Sequence, residues 1–428
     1  MTARAAVSLV TLATALGCSE PRATGVSDYA PGPAFDAGRP ASDAGRDGAP
    51  GDAAEADALA DAAPYDAPHK PIPKQPFLGW VELMRGGPVW GVYVGDMTGD
   101  GLNDVVATGG SSRQVALYAQ LAGGALADAV TLTQEYAMYA TIADVDGDGR
   151  NDLAVADDGL VTLHLGQPGG GVGPGVSLIG APYTKWAGPI RSGDFDGDGR
   201  VDLVFHDGAD DVGRLVFLHG DGHGAFAAPV VVTFPPHTLG DIRVANLDDD
   251  PADELALSAQ VTSQSTAVHI VDEPTPRAPA LITTLPAAVQ NGRGSGLWVG
   301  DLGSDGTMDV AFTEWSYSGP SQVTVWQPGE GGVFGAPVGW PTWERPSQLA
   351  AADMNGDGRL DLFVQHDGWF AIGAYFAQGG ALAAEAIAPF ADVRPFPESL
   401  AAGDVSGDAL PDLVGASPYG LLVARHAP

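Results

Sequence analysis

Cysteine is nearly missing from this sequence. The 428-residue chain has one, Cys18, so no internal disulfide can form. Basic residues are also scarce. Twenty Lys and Arg stand against 54 Asp and Glu, a formal net charge of −34. Phosphate backbones need a basic face, so nucleic acid is excluded as a partner. The apolar run near the start, Ala5 to Leu16, is too short to span a bilayer. No helical period is evident. There is no Gly-x-Ser-x-Gly elbow, no His-Glu-x-x-His and no Gly-x-x-x-x-Gly-Lys phosphate loop. His219 and His223 lie four apart, but in a strand-turn segment where that spacing gives no common face, and they read as surface turn residues.

Glycine (60) and proline (34) are plentiful, which points to many turns. The first residues, "MTARAAVSLVTLATALGCSEP", combine a basic start, a short apolar run and a small residue before Cys18. They resemble a bacterial lipoprotein signal at 1–17, although Ala15 stands where the box usually has leucine. That resemblance implies cleavage before Cys18 and its acylation, with Ser19 favouring the outer membrane. An ordinary secretory signal with an incidental cysteine is the alternative. Residues 18–73 are dominated by Ala, Asp, Gly and Pro. They have too little apolar surface to offset ordering entropy, so they are expected to be a disordered acidic tether. Its reach would be roughly 40 Å.

From residue 74 to 428 one motif recurs. In "DVDGDGRND", Asp144, Asp146, Asp148 and Asp152 hold positions one, three, five and nine of a short loop. The first position recurs at Asp96, Asp144, Asp194, Asn246, Asp301, Asp353 and Asp404, at intervals of 48, 50, 52, 55, 52 and 51 residues. Seven copies near a fixed period mean a repeat architecture. Around each loop lie strand-length apolar runs separated by glycine-rich turns, four to a unit. The expectation is an all-β fold, a seven-bladed β-propeller of four-stranded blades. The last unit stops after a third strand, "GLLVARHAP", and an extra strand, "PFLGWVELMR", precedes the first loop. The N-terminal strand is therefore expected to complete the last blade and close the ring.

Strands flank the loops, and position twelve lacks the glutamate of an EF-hand. The pattern "DxDGDGxxDL", with traces such as "GDGHGAFAAPV" and "VFGAPV", resembles FG-GAP and VCBS-type repeats, as in the integrin α-subunit head.

Alternating carboxylates on a tight turn suit calcium, a hard cation taking six to eight oxygens. Zinc would want His or Cys, and magnesium a stricter octahedron. The second loop (Asp144, Asp146, Asp148, the Arg150 carbonyl, Asp152) and the third (Asp194, Asp196, Asp198, the Arg200 carbonyl, Asp202) are complete. The sixth has Asp353, Asn355, Asp357, the Arg359 carbonyl and Asp361. The first has Asp96, Thr98, Asp100, Leu102 and Asp104; the seventh has Asp404, Ser406, Asp408, Leu410 and Asp412, with Ala409 where glycine is preferred. Two are expected to be weaker. The fifth (Asp301, Asp305, Asp309) has Gly303 at position three, and the fourth (Asn246, Asp248, Asp250, Glu254) has Pro251 at position six. Any single degenerate copy also reads as a plain Asp-Gly turn. The loops hold 25 of the 54 acids, so metal sites account for much of the charge.

Aromatics and cations gather at the connections on the opposite edge, together with Glu344: Tyr183, Lys185, Trp186, Arg293, Trp298, Trp315, Tyr317, Trp343, Arg345, His366 and Trp369. They suit protein or sugar recognition, or else are core between blades. The expected function is a calcium-stabilised, non-catalytic binding or adhesion module at a bacterial surface, monomeric, with a protein or glycan partner. A lectin-like carbohydrate binder is one alternative. A polysaccharide-degrading propeller is another; it would need paired acids or a basic residue on the axis, for which Glu344 with Arg345, Lys185 and His206 are the candidates.

Overall fold

The computed structural model describes residues 78–426 except 86, 110–112, 135, 158–159, 180–186, 209–212, 235–237, 249, 263–264, 274–276, 290–291, 317–319, 330–331, 368–370, 379–380 and 391–397. The signal at 1–17, Cys18 and the tether at 18–73 lie outside the described residues, as do Tyr183, Lys185, Trp186, Tyr317 and Trp369.

Seven four-stranded antiparallel sheets follow one another along the chain. The second blade shows the plan. Its innermost strand, Ala137–Ala143, runs into the acidic loop. The chain returns as Asp152–Asp157, then Val161–His164, and finishes on the outer strand Val176–Ile179. Ala143 pairs with Asp152 directly across the loop, so position nine is the first residue of the second strand. Innermost strands of successive blades touch one another around the whole circuit, the last against the first. The axis therefore runs along these seven strands. The expected closure is present: Leu78–Arg85 pairs with Gly420–His426, from Leu78 opposite His426 to Arg85 opposite Gly420. Blade six also carries a two-residue-strand hairpin, Ala377–Gln378 with Ala381–Leu382.

Burial explains the strand sequences. Second strands such as Asp202–Asp207 and Asp361–His366 are buried at every residue, because neighbouring blades cover both faces. They read as continuous apolar runs and not as alternations. The outer strand Val230–Thr233 alternates between half-buried and exposed. Seven core clusters each join one blade to the next, for example Phe195, Val204 and Phe217 of blade three with Leu239, Ile242 and Leu257 of blade four. The hydrophobic effect thus acts mainly between blades. Position two of every loop is an apolar plug in these cores: Met97, Val145, Phe195, Leu247, Leu302, Met354 and Val405 are all buried.

Candidate functional site

Each acidic loop is built by its own carboxylates. Asp144 Oδ1 accepts the N–H groups of Gly147 (2.8 Å) and Asp148 (3.1 Å), and its Oδ2 accepts that of Gly149 (2.8 Å). Position one accepts the position-six N–H in the same way at Asp96, Asp194, Asp301, Asp353 and Asp404. Position six stands at positive φ, 83° at Gly149 and 70° at Ala409, a conformation cheap for glycine and strained for alanine. The fourth loop breaks this pattern. Pro251 has no N–H to give, and Asn246 donates instead through Nδ2 to the Asp250 carbonyl.

Position nine is a buried staple. Asp152, 1% exposed, accepts the Val145 N–H at Oδ2 (2.8 Å) and the Gly166 N–H at Oδ1 (2.7 Å). One side chain thereby ties the loop to the end of the third strand. Asp104, Asp202 and Asp361 make the same pair of bonds. Burial raises the carboxyl of every position-nine acid, Asp104, Asp152, Asp202, Asp309, Asp361 and Asp412, and pushes Glu254 up to about 8. Backbone N–H groups pull the other way, while neighbouring loop acids such as Asp144, Asp146 and Asp248 add to the rise. Ionised acids in this setting are short of positive charge.

In three loops the carboxylate oxygens converge. Those of Asp144, Asp146 and Asp152, of Asp194, Asp196 and Asp202, and of Asp248, Asp250 and Glu254 lie within 4.8 Å of one another. The position-five acids Asp148 and Asp198 stand outside these groups, each paired with the arginine at position seven; Arg200 Nη1 lies 2.9 Å from Asp198 Oδ2. Arg359 approaches Asp357 at 3.8 Å. The fourth loop, weak by its sequence, still brings three acids together. In the third, the Asp196 side chain is 4% exposed, and its Oδ1 is buried without a hydrogen-bond partner. An all-oxygen donor set with an orphaned buried carboxylate oxygen fits a hard divalent cation.

A family model described as "FG-GAP-like repeat" matches residues 96–155, 144–205 and 301–364. These are FG-GAP-like repeats. The matched stretches run through loops one, two, three, five and six. No curated protein matches the chain in sequence. Among solved structures, an Agrocybe aegerita lectin studied for its recognition of non-reducing terminal N-acetylglucosamine is similar, with TM-score 0.50, 16% identity, and 72% of this chain and 81% of that one covered. BBS1N, solved in complex with ARL6DN, has TM-score 0.53 and 13% identity, with 82% and 97% covered. Saccharomyces cerevisiae Sqt1 has TM-score 0.50 and 10% identity, with 81% and 98% covered. At these identities the likeness is one of fold.

The propeller also has a polar axis that sequence reasoning missed. Asp241 Oδ2 lies 2.9 Å from Arg243 Nη2, and its Oδ1 lies 3.3 Å from Arg191 Nη2. Glu398 pairs with both arginines. These residues stand on or beside the innermost strands of blades three, four and seven. Burial raises Asp241. It also acts on Glu398, but the two guanidiniums outweigh it and hold Glu398 below the usual carboxylate range. The available signal was charge inside the strand leading into a loop, Arg191 in "AGPIRSG" and Asp241 with Arg243 in "TLGDIRVA".

On the edge away from the loops, the Arg345 guanidinium lies over the Trp315 ring at 5.6 Å, and its Nη2 meets Asp367 Oδ2 at 2.6 Å. The Arg293 and Trp315 backbones pair there. Trp298 is half-buried against the core between blades five and six. Trp343 is turned inward against Ala371 and Ile387, 9% exposed, with its ring edge on His366. It is core and not face. His219 also departs from expectation: it is 1% exposed, with Nε2 facing Glu273 Oε1 at 3.0 Å. Its partner comes from the next blade, which the local spacing could not show. His206 is buried inside blade three.

Proposed function

We propose that this chain is a calcium-stabilised propeller serving as a non-catalytic binding module, held at a bacterial surface through a lipid on Cys18. The observation that carries the calcium reading is the third loop, where Asp194, Asp196 and Asp202 converge and a buried Asp196 oxygen lacks a partner. Bound calcium would supply the positive charge these acids lack; the residues that would hold it are the converging carboxylates and the position-seven carbonyls. Such ions would act as staples, since typical extracellular affinities keep sites filled at millimolar calcium.

Carbohydrate recognition is a second reading, favoured by Trp315 carrying Arg345 on the edge opposite the loops. An aromatic face with a fixed charged fork suits a sugar ring and its substituents. The lectin among the similar folds is consistent with this and adds no residue-level support.

The deciding experiment screens the full chain in millimolar calcium against glycans and polysaccharides for binding and for bond cleavage. Binding lost in Trp315→Ala supports the lectin reading. Cleavage would overturn the non-catalytic reading. Silence on both directs the search to protein partners in surface extracts.

A further inference from the structure

The turn between the third and outer strands of a blade sits on the acidic loop of the blade before it. At four junctions the residue in contact is a glycine with positive φ: Gly124 (79°), Gly170 (92°), Gly224 (81°) and Gly332 (71°). Beneath them lie Ser406, Thr98, Asp146 and Asp248, each at position three of its loop. The approach is close. A Cβ at Gly124 would stand 1.9 Å from the Ser406 carbonyl oxygen, and one at Gly332 2.7 Å from the Asp248 side chain.

At the junction of blades three and four, position three is Asp196, and the residue over it is Arg277. Arg277 keeps the left-handed backbone of the four glycines, with φ 61°. A residue with a side chain is strained there, and such strain persists only where surroundings enforce it. They do so here. The Arg277 N–H donates to Glu273 Oε2 at 2.7 Å, and the other Glu273 oxygen faces buried His219. The Arg277 Nε then lies 3.4 Å from Asp196 Oδ2, while Oδ1 is buried without a hydrogen-bond partner and the carboxylate still belongs to the cluster with Asp194 and Asp202.

We propose that Arg277 is a resident counter-cation of the third loop, a positioning residue that fixes the Asp196 carboxylate and lowers this site's affinity for a divalent cation below that of the second loop. The proposal rests on the metal reading above. By loop sequence alone the second and third sites are equals. They differ in the neighbouring blade: Gly224 brings no charge to Asp146, whereas Arg277 brings a full positive charge to Asp196. A divalent cation at the third site therefore works against a guanidinium on one of its own ligands. The same guanidinium offsets carboxylate repulsion when no ion is bound.

The test is calorimetric titration of calcium into the chelator-stripped full chain, for the parent, Arg277→Gly and Arg277→Lys. Glycine is at ease at this φ, so the first variant has no reason to misfold. We expect Arg277→Gly to tighten one site by about tenfold, Arg277→Lys to stay near the parent, and an added Asp196→Asn to abolish the gain. Calcium binding that is the same in Arg277→Gly as in the parent overturns the proposal and leaves the metal reading standing. Tightening in Arg277→Lys equal to that in Arg277→Gly also overturns it, since charge would not be the cause. A parent that binds no calcium overturns both.

Discussion

Glu398 Oε1 accepts a hydrogen bond from Arg243 Nη1 at 3.1 Å, although 155 residues separate the two. Glu398 precedes the innermost strand of blade seven and Arg243 belongs to that of blade four. These blades are three steps apart around a ring of seven, so the contact crosses the axis. With Arg191 and Asp241 it forms a set of two cations and two anions across the axis, all largely buried.

Breaking that set should be costly. Glu398→Gln leaves two guanidiniums facing one carboxylate in a desolvated setting, and removing one partner of a buried pair costs about 3 kcal/mol or more. Urea unfolding should show the loss in the midpoint. A midpoint within error of the parent's would mean that the network is neutral to stability. Glu398 also holds a left-handed backbone, φ 72°, so Glu398→Gly should recover part of the loss.

Removing calcium should lower the melting temperature. An ion present at a hundred times its Kd stabilises by about 2.7 kcal/mol per site. Scanning calorimetry in EGTA against millimolar calcium reads the difference directly. Identical melts would sink the structural-calcium account.

Positions three and nine should respond differently. Asp152→Ala strands the buried N–H groups of Val145 and Gly166, at about 1–3 kcal/mol for each unsatisfied group, with or without metal. Asp146→Ala removes a converging oxygen and only the exposed bond from the Asp148 N–H, so its cost should fall mainly on the calcium-bound form. Melts of both variants, each with and without EGTA, separate the two roles.

His206 provides a pH signature away from the loops. Burial, with Arg214 nearby, lowers its pKa from 6.5 to about 4. The unfolded chain therefore takes up this proton first as pH falls. The stabilising effect of keeping His206 neutral is complete above about pH 6.5 and declines toward pH 4, by at most about 3 kcal/mol. His206→Gln should flatten unfolding free energy against pH across that window. An unaltered slope would assign the acid sensitivity to other groups.

The acidic loops were legible because their chemistry is local. Asp144, Gly147 and Gly149 fall within six residues, and both glycine N–H groups are accepted by the Asp144 carboxylate. Blade number and the closing strand followed from the period. The axis was not legible: Glu398 meets Arg191 across 207 residues, and neither lies in a motif. His219 was misplaced for the same reason, since its neighbours along the chain are turn residues while its partner Glu273 belongs to another blade. Trp343 looked like a face residue because its connection is polar, yet the indole packs inward. What the sequence hid is the lateral contact between repeats, whose residues are far apart along the chain.

The pairing of Leu78–Arg85 with Gly420–His426 sets a timetable for folding. During synthesis the first strand leaves the ribosome hundreds of residues before its partner does. Until then its hydrogen-bonding edge has no native mate, and the outer side of the last blade does not exist. Blades one to six can stack as they emerge, but the circle cannot close until the final strand arrives. Completion of the ring therefore waits on the contact of longest sequence separation, which is the slowest to form.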